Sequence, residues 1–427
     1  VKNTGMAPLL KYLFSVILIL CVSESICSQS LTWQKYFNLI NSDDEGWAIC
    51  ASDANNILVG GLTSESPMAF IMKMNQFGDT LWKKFYSDSY RVTSMVGMND
   101  GGCIFSANYK LRRIDANGNT VWSVDAPSYE SMLVTTNGFL IAPSYGIYNK
   151  YDLSGNLIWT KSITGLPAFN CVTECFEGGY LFAGCIQNKA FLLKTDTSGN
   201  ETYVKQFNLS NYSYFSDILK VNNNYILFGG FNGNTDSTTK ILIKFNSGLD
   251  SISSNVIYTK NIYYSSALLN SGNFFYLFYN CYSNNKQSFV IALYDTNFTM
   301  IRRTIYEPMV YYVNFSDAIF FPGSGNSRFA VAGITAVNGE TNEDIYVASI
   351  DTSLNPIGIE PVSSFIPQKF ELFQNYPNPF NPTTRIRFSV PYSSSGTQEI
   401  TRIVIYDITG RIVSMPVDKI LSPGEYE

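Results

Sequence analysis

A turn motif recurring at long, nearly regular intervals constrains this chain more than any other feature. It reads Asp-x-x-Gly-Asn-x-x-Trp: Asp115, Gly118 and Trp122, then Asp152, Gly155 and Trp159. Asn75, Gly78 and Trp82 fit with Asn for Asp, and Asp196, Gly199 and Tyr203 fit with Tyr for Trp. Weaker copies begin at Asn246, Asp295 and Asp351, so successive starts lie 40, 37, 44, 50, 49 and 56 residues apart. Self-similarity at that period belongs to the four-stranded blades of a propeller.

Each unit carries the same grammar. A strand (residues 47–52 in the first) meets a turn such as Asn55-Asn56, Gly101-Gly102, Asn137-Gly138 or Gly178-Gly179. An apolar strand follows (57–59, 180–183), then a third (70–74, 191–194) that runs into the Asp-x-x-Gly turn, and a fourth (81–86) that closes the unit. Short strands with turn signals every 8–12 residues predict an all-β chain, and the long period selects a propeller over a sandwich. Seven units can be counted, and the seventh lacks its last strand. Residues 32–37 (TWQKYF) align with 81–86 (LWKKFY), which predicts that the N-terminal strand completes the last blade by pairing near residues 344–350. Such closure removes an open sheet edge.

With Trp33, Trp82, Trp122 and Trp159 in one column, the unit resembles the repeats of PQQ-like and WD40-like propellers, in which a tryptophan docks each blade on its neighbour. The resemblance implies a scaffold and no cofactor, since no PQQ pocket stands out. The Asp-x-x-Gly turns supply at best three side-chain oxygens, fewer than a tight calcium loop needs. They read as side-chain-capped hairpins with glycine at the left-handed position.

Composition narrows the chemistry. Among 427 residues there are 29 Tyr and 30 Phe, only 15% are charged, and the net charge is −5. The aromatics favour sheet, and the charge offers no electrostatic case for nucleic acid or an anionic membrane. The chain contains no histidine. That excludes Ser-His-Asp and Cys-His machinery, histidine-ligated metals and histidine proton shuttles. Cys50, Cys103, Cys171, Cys175, Cys185 and Cys281 read as buried free thiols. A Cys171–Cys185 bridge needs a bulge, and the Cys171, Cys175 and Cys185 cluster offers three ligands where zinc needs four. No catalytic set and no metal site are assigned.

One column could carry binding. The inner strand of each unit begins with an aromatic residue: Trp47, Tyr90, Tyr129, Phe169, Tyr214, Tyr264 and Tyr312. In a propeller these would ring the mouth of the central channel, offering stacking surfaces and phenolic hydroxyls to a ligand. Packing at the entry to the core is the competing reading. Asp43-Asp44-Glu45 and Asp88 fall on the same side and read as solvated turn residues.

Both ends bear on destination. Lys11 precedes an apolar run at 12–22 (YLFSVILILCV), too short to span a membrane and placed as a signal peptide over residues 1–27, with an uncleaved anchor as the alternative. Near the other end, Pro377, Pro379 and Pro382 forbid helix or central strand over 375–382. Residues 385–390 then alternate polar and apolar as a half-buried strand does. The stretch FELFQNYPNPFNPTTRIRFSVP, with Asn375, Tyr376, Pro377, Asn378, Pro379, Phe380, Asn381 and Pro382 at its centre, is followed by IVIYDITGRIV and LSPGEY. Together they resemble the C-terminal sorting domain recognised by the type IX secretion system of Bacteroidetes and related bacteria. That resemblance implies an Ig-like sandwich over 370–427 behind a linker at 359–369, the secretion machinery as partner, and a secreted or cell-surface location. It also implies strands and a basic tail that this sequence does not contain, so the sandwich is read as incomplete.

The expectation is therefore a signal peptide, a seven-bladed propeller over 28–358 and a truncated Ig-like sorting domain. The function expected is a non-catalytic module for an extracellular glycan or protein. The alternative is an extracellular carbohydrate-active lyase or hydrolase using carboxylates on a propeller scaffold.

Overall fold

The computed structural model describes residues 31–354 apart from 40–42, 65–67, 211, 233–237, 259–264, 284–285, 307–311, 337–342 and 353. Beyond these it describes 361–363, 367, 369–376, 378, 385–391, 400–406, 412–420 and 424–426. The signal segment, Tyr264, Pro377 and 379–382 lie outside the described residues.

Among the described residues the chain is all strand, with no helix, and residues 31–351 form seven four-stranded antiparallel sheets. Sheets 1 to 6 take four consecutive strands each, within 44–86, 92–125, 133–162, 168–207, 213–258 and 266–306. Sheet 7 takes Tyr312–Phe320, Arg328–Ala336 and Glu343–Asp351 and receives Leu31–Phe37 as its outer strand, with Trp33 opposite Ser349 and Phe37 opposite Ile345. The architecture is that of a β-propeller.

Burial follows from sheets packed on both faces. In sheet 1 the middle strands Asn56–Thr63 and Met68–Asn75 are buried almost throughout, while the outer Thr80–Tyr86 is largely exposed. Each large apolar cluster joins two consecutive sheets. Ala48, Leu58 and Ile71 pack with Val92 and Phe105 between sheets 1 and 2. Ile49, Ile57 and Phe70 pack with Ala330, Ile345 and Val347 between sheets 1 and 7, returning the series to its start.

The tryptophan column carries a second set of contacts. Each ring leaves the outer strand of one sheet and lies on the Asp-x-x-Gly turn of the next. Trp82 Nε1 donates to Ala116 O at 3.1 Å and Trp122 Nε1 to Leu153 O at 2.9 Å. Trp33 Nε1 reaches Gln76 O at 2.8 Å, carrying the pattern from sheet 7 to sheet 1. The turn glycine is demanded twice. Gly155 sits at φ +88°, and a Cβ there would meet the Trp122 ring at 2.9 Å. The aspartates are spent on the backbone: Asp115 Oδ1 accepts from the N–H groups of Asn117 and Asn119, both at 2.9 Å. Asp152 and Asp196 repeat the bonds, as an Asx-type turn requires.

The C-terminal segment forms two small sheets. Glu371–Leu372, Phe388–Val390, Gly424–Tyr426 and Pro361–Ser363 make one, and Ile400–Tyr406 with Ile412–Ile420 make the other. Phe388, Val390 and Tyr426 from the first bury against Val417 from the second, with Ile403 beside them.

Candidate binding site

The innermost strands of several sheets carry one extra residue near their start. The register steps between Gly46 and Ala48, Val92 and Ser94, Phe169 and Cys171, Phe215 and Asp217, and Phe315 and Asp317. A bulge of this kind re-aims side chains, and here it supplies ties between neighbouring sheets. Thr93 Oγ1 donates to Tyr129 O at 2.7 Å, Asn170 Nδ2 donates to Phe215 O at 2.7 Å, and the hydroxyls of Ser216 and Ser266 lie 2.8 Å apart.

Two carboxylates serve the same purpose. Asp217 accepts from Ile218 N at 2.7 Å on its own strand and from Leu268 N at 2.6 Å on sheet 6. Asp317 accepts from Ala318 N at 2.8 Å and from Ile49 N at 3.1 Å, tying sheet 7 to sheet 1. Burial pushes both carboxyls up to about 7 against these donors, and the charge of Asp317 adds to the rise at Asp217. Their oxygens face backbone N–H groups, an arrangement suited to holding strands together.

The aromatic residues that open each unit do not share one environment. Tyr129 is fully buried, its hydroxyl 2.7 Å from that of Tyr151 and accepting from Asn149 Nδ2 at 2.7 Å. Phe169 is buried among Tyr148, Phe182 and Phe191. Tyr214 is buried and accepts from Lys240 Nζ at 2.6 Å. Tyr129 and Phe169 pack between sheets, whereas Tyr214 packs on Lys240 and Gly230 of its own sheet. Tyr90 is exposed, and Trp47 and Tyr312 are half-buried.

Trp47 and Tyr312 converge where sheet 7 meets sheet 1. Gly46 permits the approach, since a Cβ there would stand 2.9 Å from Gly333 O. The bulged Trp47 donates its indole N–H to Glu45 Oε2 at 2.6 Å, and the Arg91 guanidinium lies 4.4 Å above its ring. Glu343 accepts from the Tyr312 hydroxyl, and its charge acts on Glu45 across the seam. Glu343 N donates to Asp43 Oδ1 at 2.9 Å. Burial foremost, then the charge of Glu343, pushes Glu45 above the usual carboxylate range, while the indole bond and Arg91 pull it back. The seam thus combines an aromatic ring, a carboxyl pair, a phenol and a guanidinium, all on half-buried side chains.

Sequence reasoning reached Trp47, Tyr312 and Glu45 but placed Glu45 in a solvated turn, and it missed Glu343 and Arg91. The acidic run Gly339-Glu340-Thr341-Asn342-Glu343-Asp344 was the available signal. Asp88 pairs with Arg112 Nη2 at 2.7 Å.

No protein-family model matches the chain, and no curated protein does. Solved structures are similar in fold at low identity. A catalytically inactive virginiamycin B lyase from Staphylococcus aureus with quinupristin superposes with a TM-score of 0.50 at 14% identity, over 74% of this chain and 99% of that one. The RRP9 WD40 repeats give 0.52 at 9% over 76% and 99%. BBS1N in complex with ARL6DN gives 0.51 at 9% over 77% and 99%. At these identities the likeness is to the propeller fold.

Proposed function

We infer that the chain is a secreted or cell-surface protein whose seven-bladed propeller binds an extracellular glycan or protein at the seam of sheets 7 and 1, without transforming it. Export rests on the apolar run behind Lys11 and on the resemblance of residues 370–426 to a type IX sorting domain of Ig-like form. The two facing sheets that share Phe388, Val390 and Val417 are compatible with that form.

One observation carries the reading: the Trp47 ring, the Glu45 and Glu343 carboxyls and the Tyr312 hydroxyl converge at one seam. Together they offer acceptors and a ring edge to hydroxyls or ammonium groups. Lyase activity does not transfer from the fold neighbour. That lyase is inactivated by replacing one histidine with alanine, and this chain has no histidine.

The test is a glycan and protein binding screen of the full chain, with mass analysis of each ligand afterwards. Binding that returns the ligand intact and weakens in Trp47→Ala and Glu343→Gln supports the reading. Product formation lost in Glu343→Gln establishes the carbohydrate-active enzyme instead.

A further inference from the structure

On the opposite ends of the strands, the turns between first and second strands repeat closely in sheets 2, 3 and 4. The N–H groups of Met98, Thr135 and Cys175 donate to the carbonyls of Gly102, Phe139 and Gly179. Those of Gly101, Gly138 and Gly178 donate back to the carbonyls of residues 98, 135 and 175. The middle turn residue is therefore equivalent in all three: Asp100, Asn137 and Glu177.

A basic residue on the third strand of each sheet stands opposite the aromatic column. Arg113 pairs with Trp122, Lys150 with Trp159 and Lys194 with Tyr203 in register. In sheets 2 and 4 the turn acid neutralises it: Arg113 Nη2 lies 2.5 Å from Asp100 Oδ2, and Lys194 is ion-paired with Glu177. Sheet 1 does the same with Lys73 and Asp53 at 3.1 Å. Sheet 3 has Asn137 in place of the acid. Among the described residues Lys150 has no ion pair, and its ammonium rests 4.1 Å from the centre of the Phe139 ring and 5.8 Å from that of Tyr180.

That unneutralised ammonium lines a cavity of about 290 Å³ between the turns of sheets 3 and 4. Lys220 joins the lining, its ammonium 4.5 Å above Phe176. The one acid in the lining, Glu174, is already engaged, accepting from Thr136 N at 3.1 Å and from Thr136 Oγ1 at 3.2 Å. Burial lowers the Lys150 ammonium, and no neighbouring carboxylate opposes that shift.

We propose that this cavity binds a small oxyanion-bearing ligand of about monosaccharide size, whose carboxylate, sulfate or phosphate takes the place of the turn acid missing from sheet 3. Lys150 supplies the primary contact, Lys220 a second positive charge, and the threonine and asparagine groups of the turn supply hydrogen bonds to the rest of the ligand. The site is separate from the seam and does not depend on it.

The test titrates the full chain with glucuronate, galactose 6-sulfate, glucose 6-phosphate and uncharged glucose at constant ionic strength, by calorimetry. At least one charged sugar binds, and glucose binds at least about tenfold more weakly, the value of one charge-assisted hydrogen bond. Which charged sugar binds best identifies the oxyanion. Asn137→Asp restores the ion pair of the neighbouring sheets, so it keeps or raises the melting temperature while losing about tenfold or more in affinity. Lys150→Gln loses binding in the same measure. The proposal is overturned if no charged sugar binds at millimolar concentration, if glucose binds as well as they do, or if both variants bind like the wild type.

Discussion

Replacing Trp33 with alanine removes the outer-strand anchor of sheet 7 from the turn of sheet 1. The half-buried indole lies against Gly78, meets Phe321 edge-on with ring centres 6.5 Å apart, and donates to Gln76 O. A tryptophan buries about 150–250 Å². Losing roughly 100 Å² of that contact at about 25 cal/mol per Å² costs about 2.5 kcal/mol, and the hydrogen bond adds about 1 kcal/mol. For a body of about 320 residues the unfolding entropy is about 0.7 kcal/mol per degree, so about 3.5 kcal/mol lowers the melting temperature by about 5 °C. Trp82→Ala, which breaks the equivalent contact between sheets 1 and 2, serves as the yardstick. Thermal unfolding followed by tryptophan-independent far-UV dichroism should show shifts of similar size. If Trp33→Ala melts like the wild type while Trp82→Ala does not, the seam of sheets 7 and 1 is not an interface like the others and the closure argument fails.

Three further outcomes follow from particular residues. Gly155→Ala combines a left-handed φ, costing about 1–2 kcal/mol, with a collision against Trp122, and adding Trp122→Ala should relieve the collision but not the backbone cost, as a denaturant double-mutant cycle shows. Asp217 and Asp317 carry folded values of about 7 against an unfolded value near 3.9. The folded state therefore binds more protons between those limits, and their contribution is full below about pH 4 and falls as pH rises to about 7. Each contributes an upper bound of roughly 4 kcal/mol. Urea midpoints at pH 5 and pH 7.5 should differ less in Asp317→Asn than in the wild type. Finally, Cys185 is half-buried while Cys50, Cys103, Cys171, Cys175 and Cys281 are buried. A thiol reagent on the native protein should therefore modify Cys185 first, as peptide mapping would show.

What the sequence revealed was whatever repeats. Local turn chemistry writes Asp, Gly and Trp at fixed offsets in each unit, because each sheet buries the same faces and docks the same ring. The likeness of TWQKYF to LWKKFY belongs to this grammar, and its structural counterpart is the register of Trp33 opposite Ser349 and Trp82 opposite Lys73. Contacts made once are invisible to such reading. Glu343 acts on Glu45 only because sheet 7 returns to sheet 1, and no offset within a unit encodes it. The aromatic residues opening each unit share a place in the sequence but not in space, because the bulges shift them differently. Trp47 is itself the bulged residue, whereas Phe169 precedes a bulge and Tyr214 lies one residue further back. The bulge before Cys171 also sets Cys185 opposite Ala168, and both thiols are free. The interior aspartates left a legible trace, since Phe-Ser-Asp occurs at both 215–217 and 315–317. The vacancy beside Lys150 emerges only when the turns of neighbouring sheets are aligned by their hydrogen bonds.

The most direct measurement of the seam site compares wild type, Trp47→Ala and Tyr129→Phe in calorimetric titration with a ligand found by the binding screen. Both positions open a unit in the sequence, yet only Trp47 lies beside Glu45, Glu343 and Arg91, while Tyr129 is sealed between sheets. Trp47→Ala should lose at least about tenfold in affinity, the scale of a lost aromatic anchor, and Tyr129→Phe should bind as the wild type does while melting at a lower temperature. Unchanged binding in Trp47→Ala, with both variants folded, would contradict the assignment of the seam as the place where this protein meets its ligand.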